Sequence, residues 1–361
     1  MNDIKRFMRP ELDKFIGYAA FKSPEVLDEE TRRLGVVKLD ANENVYGPSP
    51  RVKKALSVLD DIHIYPDSCQ TELRKALATY TGIAASQIIA GSGSDQLIDL
   101  LVRMFVGPDD EVVTFTPTFA MYKFFTELAG GKFIAVPRDE NYNIVLDTLP
   151  QVLSPNTKLI FIAMPNNPTG TQVQVETVMQ LIETGLPVVV DEAYYEFTGQ
   201  TLARDLEKYP NLIILRTFSK WAGLAGLRVG YGLFPTAVAE RMEAIKDPYC
   251  VNDAAVVAAQ ESLKDVDYLM GIVKLIIGER ERLFDALTKL EYIKPYPSCA
   301  NFILCKITGK NALDIQQQLE RCGILVRYFN SPQMENSLRF SIGRPEDTDR
   351  LITELQKIGE A

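Results

Sequence analysis

The chain has one histidine, His63, among its 361 residues. Zinc sites need imidazoles or closely spaced thiolates, and the five cysteines are scattered without paired spacing. A Ser-His-Asp hydrolase would have to use His63, which has no nucleophile elbow nearby. We therefore expect no metal site, a surface or packing role for His63, and proton transfer by lysine, tyrosine or a carboxylate.

A long apolar run is also missing. None approaches the roughly 18 residues of a membrane span, and the first ten residues contain no apolar signal segment. Acidic residues outnumber basic ones by 48 to 39, which argues against nucleic acid or a membrane surface as a partner. The odd, scattered cysteines are typical of reduced thiols, so we expect a cytoplasmic protein that acts on small molecules.

From about residue 72, amphipathic helical segments alternate with short apolar strands. The predicted strands are 87–90, 111–115, 158–163, 187–190, 212–216 and 229–233. The predicted helices are 95–106, 118–129, 173–184 and 236–246. Strands that are apolar on both faces and separated by helices indicate an α/β fold with a mostly parallel, covered sheet. Ligands bind such sheets at the carboxyl ends of the strands.

The pattern changes after residue 248. A long helical stretch, 256–290, precedes predicted strands near 300–305, 324–328 and 337–341 and a helix at 347–358. This order predicts a second, smaller α+β domain. We divide the chain into an N-terminal arm with part of the small domain, a large domain and a C-terminal small domain, at residues 1–45, 46–250 and 251–361.

The most specific chemistry lies in the segment 215–230. Lys220 directly follows Ser219, and Arg228 stands eight residues further on, across a glycine-rich stretch. The amine can hold an aldehyde as a Schiff base, while the serine and the arginine hold a phosphate at the far end of the same molecule. This combination describes a site for pyridoxal phosphate.

Three upstream segments supply what that cofactor needs. The loop 91–95, Gly-Ser-Gly-Ser-Asp, follows a strand and opens a helix, so its amides can bind a phosphate, although it could equally be a plain N-cap. Asn167, in Pro-Asn-Asn-Pro-Thr-Gly, can offer its amide to a ring hydroxyl or simply stand in a rigid turn. Asp191, at the end of a buried strand, can pair with a pyridinium nitrogen or act as a structural cap.

The order of these segments resembles that of the fold type I aminotransferases, over almost the whole chain. Within that superfamily the chain is most similar to the histidinol-phosphate aminotransferase family. The segments that carry this further similarity are LDANENVYGPSP at 39–50, Tyr-Pro-Asp at 65–67 and LRFSIG at 338–343.

The resemblance implies a fold and an activity. The fold is that of a type I pyridoxal-phosphate-dependent transferase, in which a large domain holds a mostly parallel seven-stranded sheet between helices, beside a smaller α+β domain. The activity is a ping-pong interconversion of L-histidinol phosphate and 2-oxoglutarate with imidazole-acetol phosphate and L-glutamate, a step of histidine biosynthesis.

The resemblance also implies cofactor contacts at matching positions. Lys220 would form the Schiff base and later move the substrate's proton, with Asp191 on the ring nitrogen and Asn167 and Tyr194 on the ring oxygen. The phosphate would be held by Ser94, Asp95, Thr217, Ser219 and Arg228. Phe119 stands where the family usually stacks a tyrosine on the ring. A tyrosine matching Tyr65 reaches the phosphate from the partner subunit, which implies a homodimer.

Substrate contacts follow in the same way. Arg339 matches the family arginine that binds the carboxylate of glutamate, and guanidinium suits that task better than an ammonium group does. Arg327 and Tyr18 match positions that bind the substrate phosphate, and Asn44 is expected to contact substrate. Each could instead be a surface ion pair or a packed side chain. Cys250 departs from the family, which usually has asparagine there.

Three alternatives stay open at this point. An aromatic amino acid aminotransferase or a threonine-phosphate decarboxylase could be built on the same scaffold. Arg327 favours a phosphorylated substrate over a plain aromatic one, although a carboxylate could use it too. A pyridoxal-binding transcription regulator would need a DNA-binding domain in front, and the segment before residue 40 is too short and insufficiently basic for one.

Overall fold

The computed structural model describes residues 29–360, together with residues 4–9, 12, 15, 17, 25 and 27. Tyr18 lies outside the described residues, so its predicted contact with a substrate phosphate stays a prediction. Two β-sheets organise the described chain, one of seven strands and one of five.

The seven-stranded sheet is mostly parallel. Its strands are β2 (Ile88–Ser92), β3 (Glu111–Thr116), β4 (Lys132–Pro137), β5 (Thr157–Ala163), β6 (Val188–Asp191), β7 (Leu212–Thr217) and β8 (Val229–Leu233). They lie in the order β2-β8-β7-β6-β5-β3-β4. All neighbours from β7 to β4 pair in parallel, whereas β8 pairs antiparallel with both β2 and β7. The predicted α/β fold with a mostly parallel sheet is confirmed.

Both faces of this sheet are buried, as the apolar strand sequences require. In β6, Val188 and Val190 belong to the hydrophobic cluster on one face, and Val189 belongs to the cluster on the other. Since successive strand residues point to opposite faces, an uninterrupted apolar strand can supply two cores at once. The prediction missed β4, an edge strand with exposed residues that ends in Pro137, where a missing amide costs no ladder hydrogen bond.

The helices pack around the sheets. The described helices are α1 (Glu29–Arg33), α2 (Pro50–Leu56), α3 (Thr71–Thr81), α4 (Gly93–Phe105), α5 (Ala120–Leu128), α6 (Leu149–Val152), α7 (Val175–Ile182), α8 (Thr236–Ile245), α9 (Asp253–Leu263), α10 (Val266–Leu287), α11 (Ala312–Arg321) and α12 (Pro345–Glu360). The single helical stretch predicted at 256–290 is wrong, because Asp265 leaves the helical conformation and separates α9 from α10. Among the described helices, none has the length and apolar character needed to cross a membrane.

The five-stranded sheet joins the two ends of the chain. Its strands are β1 (Val37–Leu39), β9 (Ile293–Pro295), β10 (Phe302–Ile307), β11 (Ile324–Phe329) and β12 (Ser337–Ser341), in the order β1-β11-β12-β10-β9. Strand β1 pairs in parallel with β11, so the segment before residue 40 is part of this sheet. Helix α9 packs on α2 and α3, beside the larger sheet. The division at residues 45 and 250 stays a prediction.

A buried ion pair crosses two central strands. Arg216 on β7 and Glu192, directly after β6, are 2.9 Å apart, and their side chains are 2% and 0% exposed. The Arg216 guanidinium also lies 3.8 Å from the ring centre of Tyr195. The pair therefore fixes the chain where β6 and β7 end.

We expect Arg216→Met to lower the free energy of unfolding by about 3–5 kcal/mol, because Glu192 would remain as a buried charge without its cation. Urea unfolding followed by circular dichroism measures this loss. Arg103→Met is the control, since Arg103 pairs with Asp99 at the surface and should cost at most about 1 kcal/mol. Equal losses in both variants would contradict the structural role of the buried pair.

Candidate active site

Lys220 lies just beyond the carboxyl end of β7. Its Nζ donates a hydrogen bond to the Ala41 carbonyl at 3.1 Å. Burial and the nearby Arg339 cation lower the pKa of this amine to about 8, against the opposite pull of Glu43 and Asp95. A lysine with such a pKa has a substantial neutral fraction near physiological pH and can act as a nucleophile or a base.

Asp191 is the last residue of the neighbouring strand β6. Its buried carboxylate accepts a hydrogen bond from the Tyr122 hydroxyl at 2.7 Å and one from the Ala193 amide at 3.1 Å. Burial raises the pKa of this carboxyl to about 6, while both hydrogen bonds act in the opposite direction. A carboxylate accepts more than two hydrogen bonds, so Asp191 can still receive one from a bound cation.

Arg339 reaches the same place from strand β12. Its guanidinium donates to the Asn167 side-chain oxygen at 2.6 Å and to the Asp40 carbonyl at 2.7 Å. It is 4% exposed and lies over the Phe302 ring, 5.1 Å from the centre. The structure thus brings Asn167, which follows β5, and Arg339 together with Lys220 between the two sheets.

Tyr194 is held by an asparagine that the sequence analysis did not single out. Asn42 donates to the Tyr194 hydroxyl at 2.9 Å and accepts a hydrogen bond from Ser341, while Asn301 donates to its carbonyl. Its backbone has a φ of 55°, a conformation that asparagine tolerates better than most residues do. Asn42, the first asparagine of Ala-Asn-Glu-Asn, could therefore have been recognised from the sequence as a residue suited to this backbone conformation.

Asn44 has a different environment from the one expected. Its Nδ2 donates to the Trp221 carbonyl at 2.9 Å, and its Oδ1 accepts from the Tyr46 amide at 3.0 Å. Both ends of the amide are thus used by the backbone, and Trp221 is next to Lys220 in the sequence. In the structure Asn44 holds the chain beside the site, and its contact with substrate stays a prediction.

The junction of β2 and α4 has the geometry of a cradle for an anion. Gly93 has a φ of 72°, and a Cβ there would lie 2.6 Å from the Arg228 guanidinium. A Cβ on Gly230 would lie 2.5 Å from the Ser94 amide nitrogen. The first amides of α4 have no helical partners and carry partial positive charge. Arg228 lies 2.9 Å from Asp95 at this helix start, and its carbonyl accepts from the Gly93 amide at 3.1 Å. The cradle therefore combines the amides that follow Gly93 with a guanidinium.

Thr217 and Ser219 continue the cradle from β7. Their hydroxyls are 3.0 Å apart, and the Ser219 amide donates to the Thr217 hydroxyl at 3.1 Å.

Phe119 immediately precedes α5 and meets Tyr122 edge to face, with ring centres 5.6 Å apart. Tyr122 is the second residue that sequence reasoning missed.

Tyr65, a predicted site residue, and Cys250, a departure from the family, lie apart from this cluster. Tyr65 is 78% exposed and stacks on Tyr249, with ring centres 4.5 Å apart, so its reach into a partner's site stays a prediction. Cys250, where the family usually has asparagine, lies 3.5 Å from the Gln70 amide nitrogen. Burial raises the pKa of this thiol, which makes it a packing residue rather than a nucleophile.

Residues 35–355 match the family model for aminotransferase class I and II. The chain belongs to this aminotransferase family. It is 55% identical over 358 residues to a histidinol-phosphate aminotransferase of Dehalococcoides mccartyi, covering 99% of each chain. A relative of the same description from Roseiflexus castenholzii is 44% identical, covering 98% of this chain and 99% of its own.

A solved structure is similar over the same length. The crystal structure of histidinol-phosphate aminotransferase from Sinorhizobium meliloti in complex with pyridoxal-5'-phosphate superposes with a TM-score of 0.87 at 28% identity. The match covers 99% of both chains. The predicted membership of the aminotransferases and the type I fold are therefore confirmed, and the chain is an enzyme of that class.

We expect the Lys220 amine to titrate with a midpoint near pH 8 in the ligand-free aminotransferase. Competitive labelling with acetic anhydride across a pH series, read by peptide mass spectrometry, measures this midpoint. Arg339→Gln should move it upward, because a neighbouring positive charge is lost. Arg103→Gln, a change on the exposed face of α4, should leave it in place. A wild-type midpoint near 10.5, the ordinary lysine value, would contradict the electrostatic description of the site.

Proposed function

We propose that this aminotransferase interconverts L-histidinol phosphate and 2-oxoglutarate with imidazole-acetol phosphate and L-glutamate, with pyridoxal 5'-phosphate as cofactor. Full-length relatives with that name, at 55% and 44% identity, support the assignment. The single observation in the site that carries it is the pairing of Arg327 with Arg339. The reaction would be a step of histidine biosynthesis.

Arg327 and Arg339 are directly opposite each other in the antiparallel pair of β11 and β12. Residues directly opposite in such a pair point to the same face of the sheet. Both guanidinium groups lie within 6 Å of the centre of the Phe329 ring, at 5.9 and 5.6 Å. Arg327 and Arg339 lie side by side, so one can bind a phosphate and the other a carboxylate. Guanidinium binds both kinds of group in a bidentate manner.

The residues present fit pyridoxal phosphate. The cradle of Gly93, Ser94 and Arg228 suits a phosphate, because the glycine adopts a φ of 72° and leaves room for the Arg228 guanidinium beside the start of α4. Thr217 and Ser219 add hydroxyl donors, and Asp191 offers a carboxylate to a ring nitrogen. When bound, pyridoxal phosphate supplies an aldehyde for a Schiff base and a cationic ring that takes up the electrons of the broken Cα–H bond.

The side chains of the site then have separate roles in the reaction. The Lys220 amine can take the proton from the substrate Cα and deliver it to the former aldehyde carbon of the cofactor, because burial and Arg339 keep part of the amine neutral. Asp191 keeps negative charge at the ring nitrogen. Arg339 orients the carboxylate of glutamate, and Asn167, fixed by Arg339 at 2.6 Å, holds the ring oxygen together with Tyr194.

Both substrates would use one set of groups in turn. The amine of Lys220 and the arginine pair serve histidinol phosphate in one half-reaction and glutamate in the other. A ping-pong sequence follows, since the first product must leave before the second substrate can bind the same arginines.

We further propose a homodimer in the cytoplasm. The segment between α2 and α3 exposes four apolar side chains, although one face of the Tyr65 ring stacks on Tyr249. They are Val58, Ile62, Ile64 and Tyr65. Large exposed apolar patches mark interaction surfaces, which supports the reach of Tyr65 into a partner's site. All five cysteines are free, as suits a reducing compartment.

The test is a single half-reaction of the cofactor-loaded enzyme, followed by absorbance, with histidinol phosphate, phenylalanine and threonine phosphate in separate runs. We expect histidinol phosphate to react fastest. Arg327→Gln should lower its second-order rate constant roughly 10- to 100-fold, because a charged hydrogen bond to phosphate is lost. Arg321→Gln, an exposed change on α11, should have no effect.

Two outcomes would contradict the proposal. Equal or faster conversion of phenylalanine, unaffected by Arg327→Gln, would make the chain an aromatic amino acid aminotransferase. Release of carbon dioxide from threonine phosphate would make it a decarboxylase.

A further inference from the structure

We propose that Tyr122 is a positioning residue for the reaction: its hydroxyl holds the Asp191 carboxylate in its charged form, aimed at the ring nitrogen of the cofactor. This inference rests on the proposed cofactor and adds a residue to its site. Tyr122 itself would touch neither substrate nor cofactor, so its effect passes through Asp191.

The Tyr122 hydroxyl is placed to donate its hydrogen bond to Asp191. The side chain is 0% exposed, and its oxygen lies 2.7 Å from Asp191 Oδ2. Its ring stacks on Phe161 of β5, with ring centres 4.7 Å apart and planes 7° from parallel. Phe119 also contacts the ring, edge to face, at an interplanar angle of 85°. A ring clamped in this way cannot turn its hydroxyl toward another acceptor.

The electrostatics of the carboxylate make this donor important. Burial and the neighbouring charges of Asp95 and Glu192 raise the pKa of Asp191, and the donors that oppose them are Tyr122 and the Ala193 amide. The pKa of Tyr122 lies well above its usual value because of burial and the adjacent Asp191 charge. The hydroxyl therefore keeps its proton and remains a donor at any physiological pH.

Loss of that donor would change where a proton resides. With only the Ala193 amide left, the carboxyl would hold its proton more tightly. A neutral carboxylic acid cannot balance a protonated ring nitrogen, so that nitrogen would become deprotonated more readily. The site would keep its shape and lose its electron-withdrawing power, which is needed for the chemical step and not for substrate binding.

Tyr122→Phe tests this, because phenylalanine keeps the aromatic contacts and removes only the hydroxyl. The cofactor is supplied with a 15N-labelled ring, and the nitrogen NMR shift reports its protonation. We expect a shift toward the unprotonated value, a lower kcat by about tenfold or more, and a KM changed by less than about threefold. The dissociation constant of pyridoxal phosphate should also rise.

A matched control is available elsewhere in the core. Tyr80 also donates to a buried carboxyl group, that of Glu196, at 3.4 Å. Burial raises the pKa of that carboxyl to about 8. Tyr80→Phe removes the same kind of hydroxyl and should leave the nitrogen shift and the split between kcat and KM unchanged. A double-mutant cycle with Asp191→Asn adds a second check, since Tyr122→Phe should have no further effect once residue 191 carries no charge.

The outcomes separate the two proposals. Failure of the wild-type enzyme to bind pyridoxal phosphate would overturn the proposed function. Normal binding with an unchanged nitrogen shift in Tyr122→Phe would overturn only the role of Tyr122. Equal losses from Tyr122→Phe in the wild-type enzyme and in the Asp191→Asn variant would also overturn it, and this comparison holds even if the substitution weakens the fold.

Discussion

The parallel pairing of β5, β6 and β7 is the constraint on which the site depends. Their register aligns Ala163, Asp191 and Leu215 across the sheet, so the chain leaves all three strands at one edge. Asn167 and Lys220 follow directly from those ends. Residues from distant parts of the sequence thereby come together, and the strands remain regular. The buried apolar faces keep this register, since a slip by one residue would turn Asp191 to the opposite face of the sheet, away from Tyr122.

The smaller sheet completes the site from the other side. Arg339 binds the Asp40 carbonyl and Asn167, while Lys220 binds the Ala41 carbonyl. The short segment 40–42 thus contacts both Arg339 and the Lys220 amine. Because β1 pairs with β11, any movement of the smaller sheet also moves these carbonyls. The positions of Arg339 and Lys220 are therefore linked through hydrogen bonds to the backbone of one segment.

Sequence reasoning succeeded where the signal is local. Six of the seven strands of the large sheet were predicted because both of their faces are apolar, and only the edge strand β4 was missed. Asp191 stands out because it ends such a strand, and Lys220 because Ser219 and Arg228 accompany it in one short segment. Tyr122 and Asn42 were missed because their partners lie 69 and 152 positions away in the chain. No periodicity marks such a contact. Asn42 and Asn44 lie in the same motif, and Asn44 was the one predicted to contact substrate. Only their contacts in the fold distinguish them, because Asn44 donates to the Trp221 carbonyl and Asn42 to the Tyr194 hydroxyl.

We propose Lys220, at the meeting point of the two sheets, as the amine that holds the cofactor. Borohydride reduction of the protein loaded with pyridoxal phosphate, followed by peptide mass mapping, identifies the lysine that carries it. We expect the reduced cofactor to remain attached to the peptide that contains Lys220. Attachment to a different lysine, or none after reduction, would contradict it.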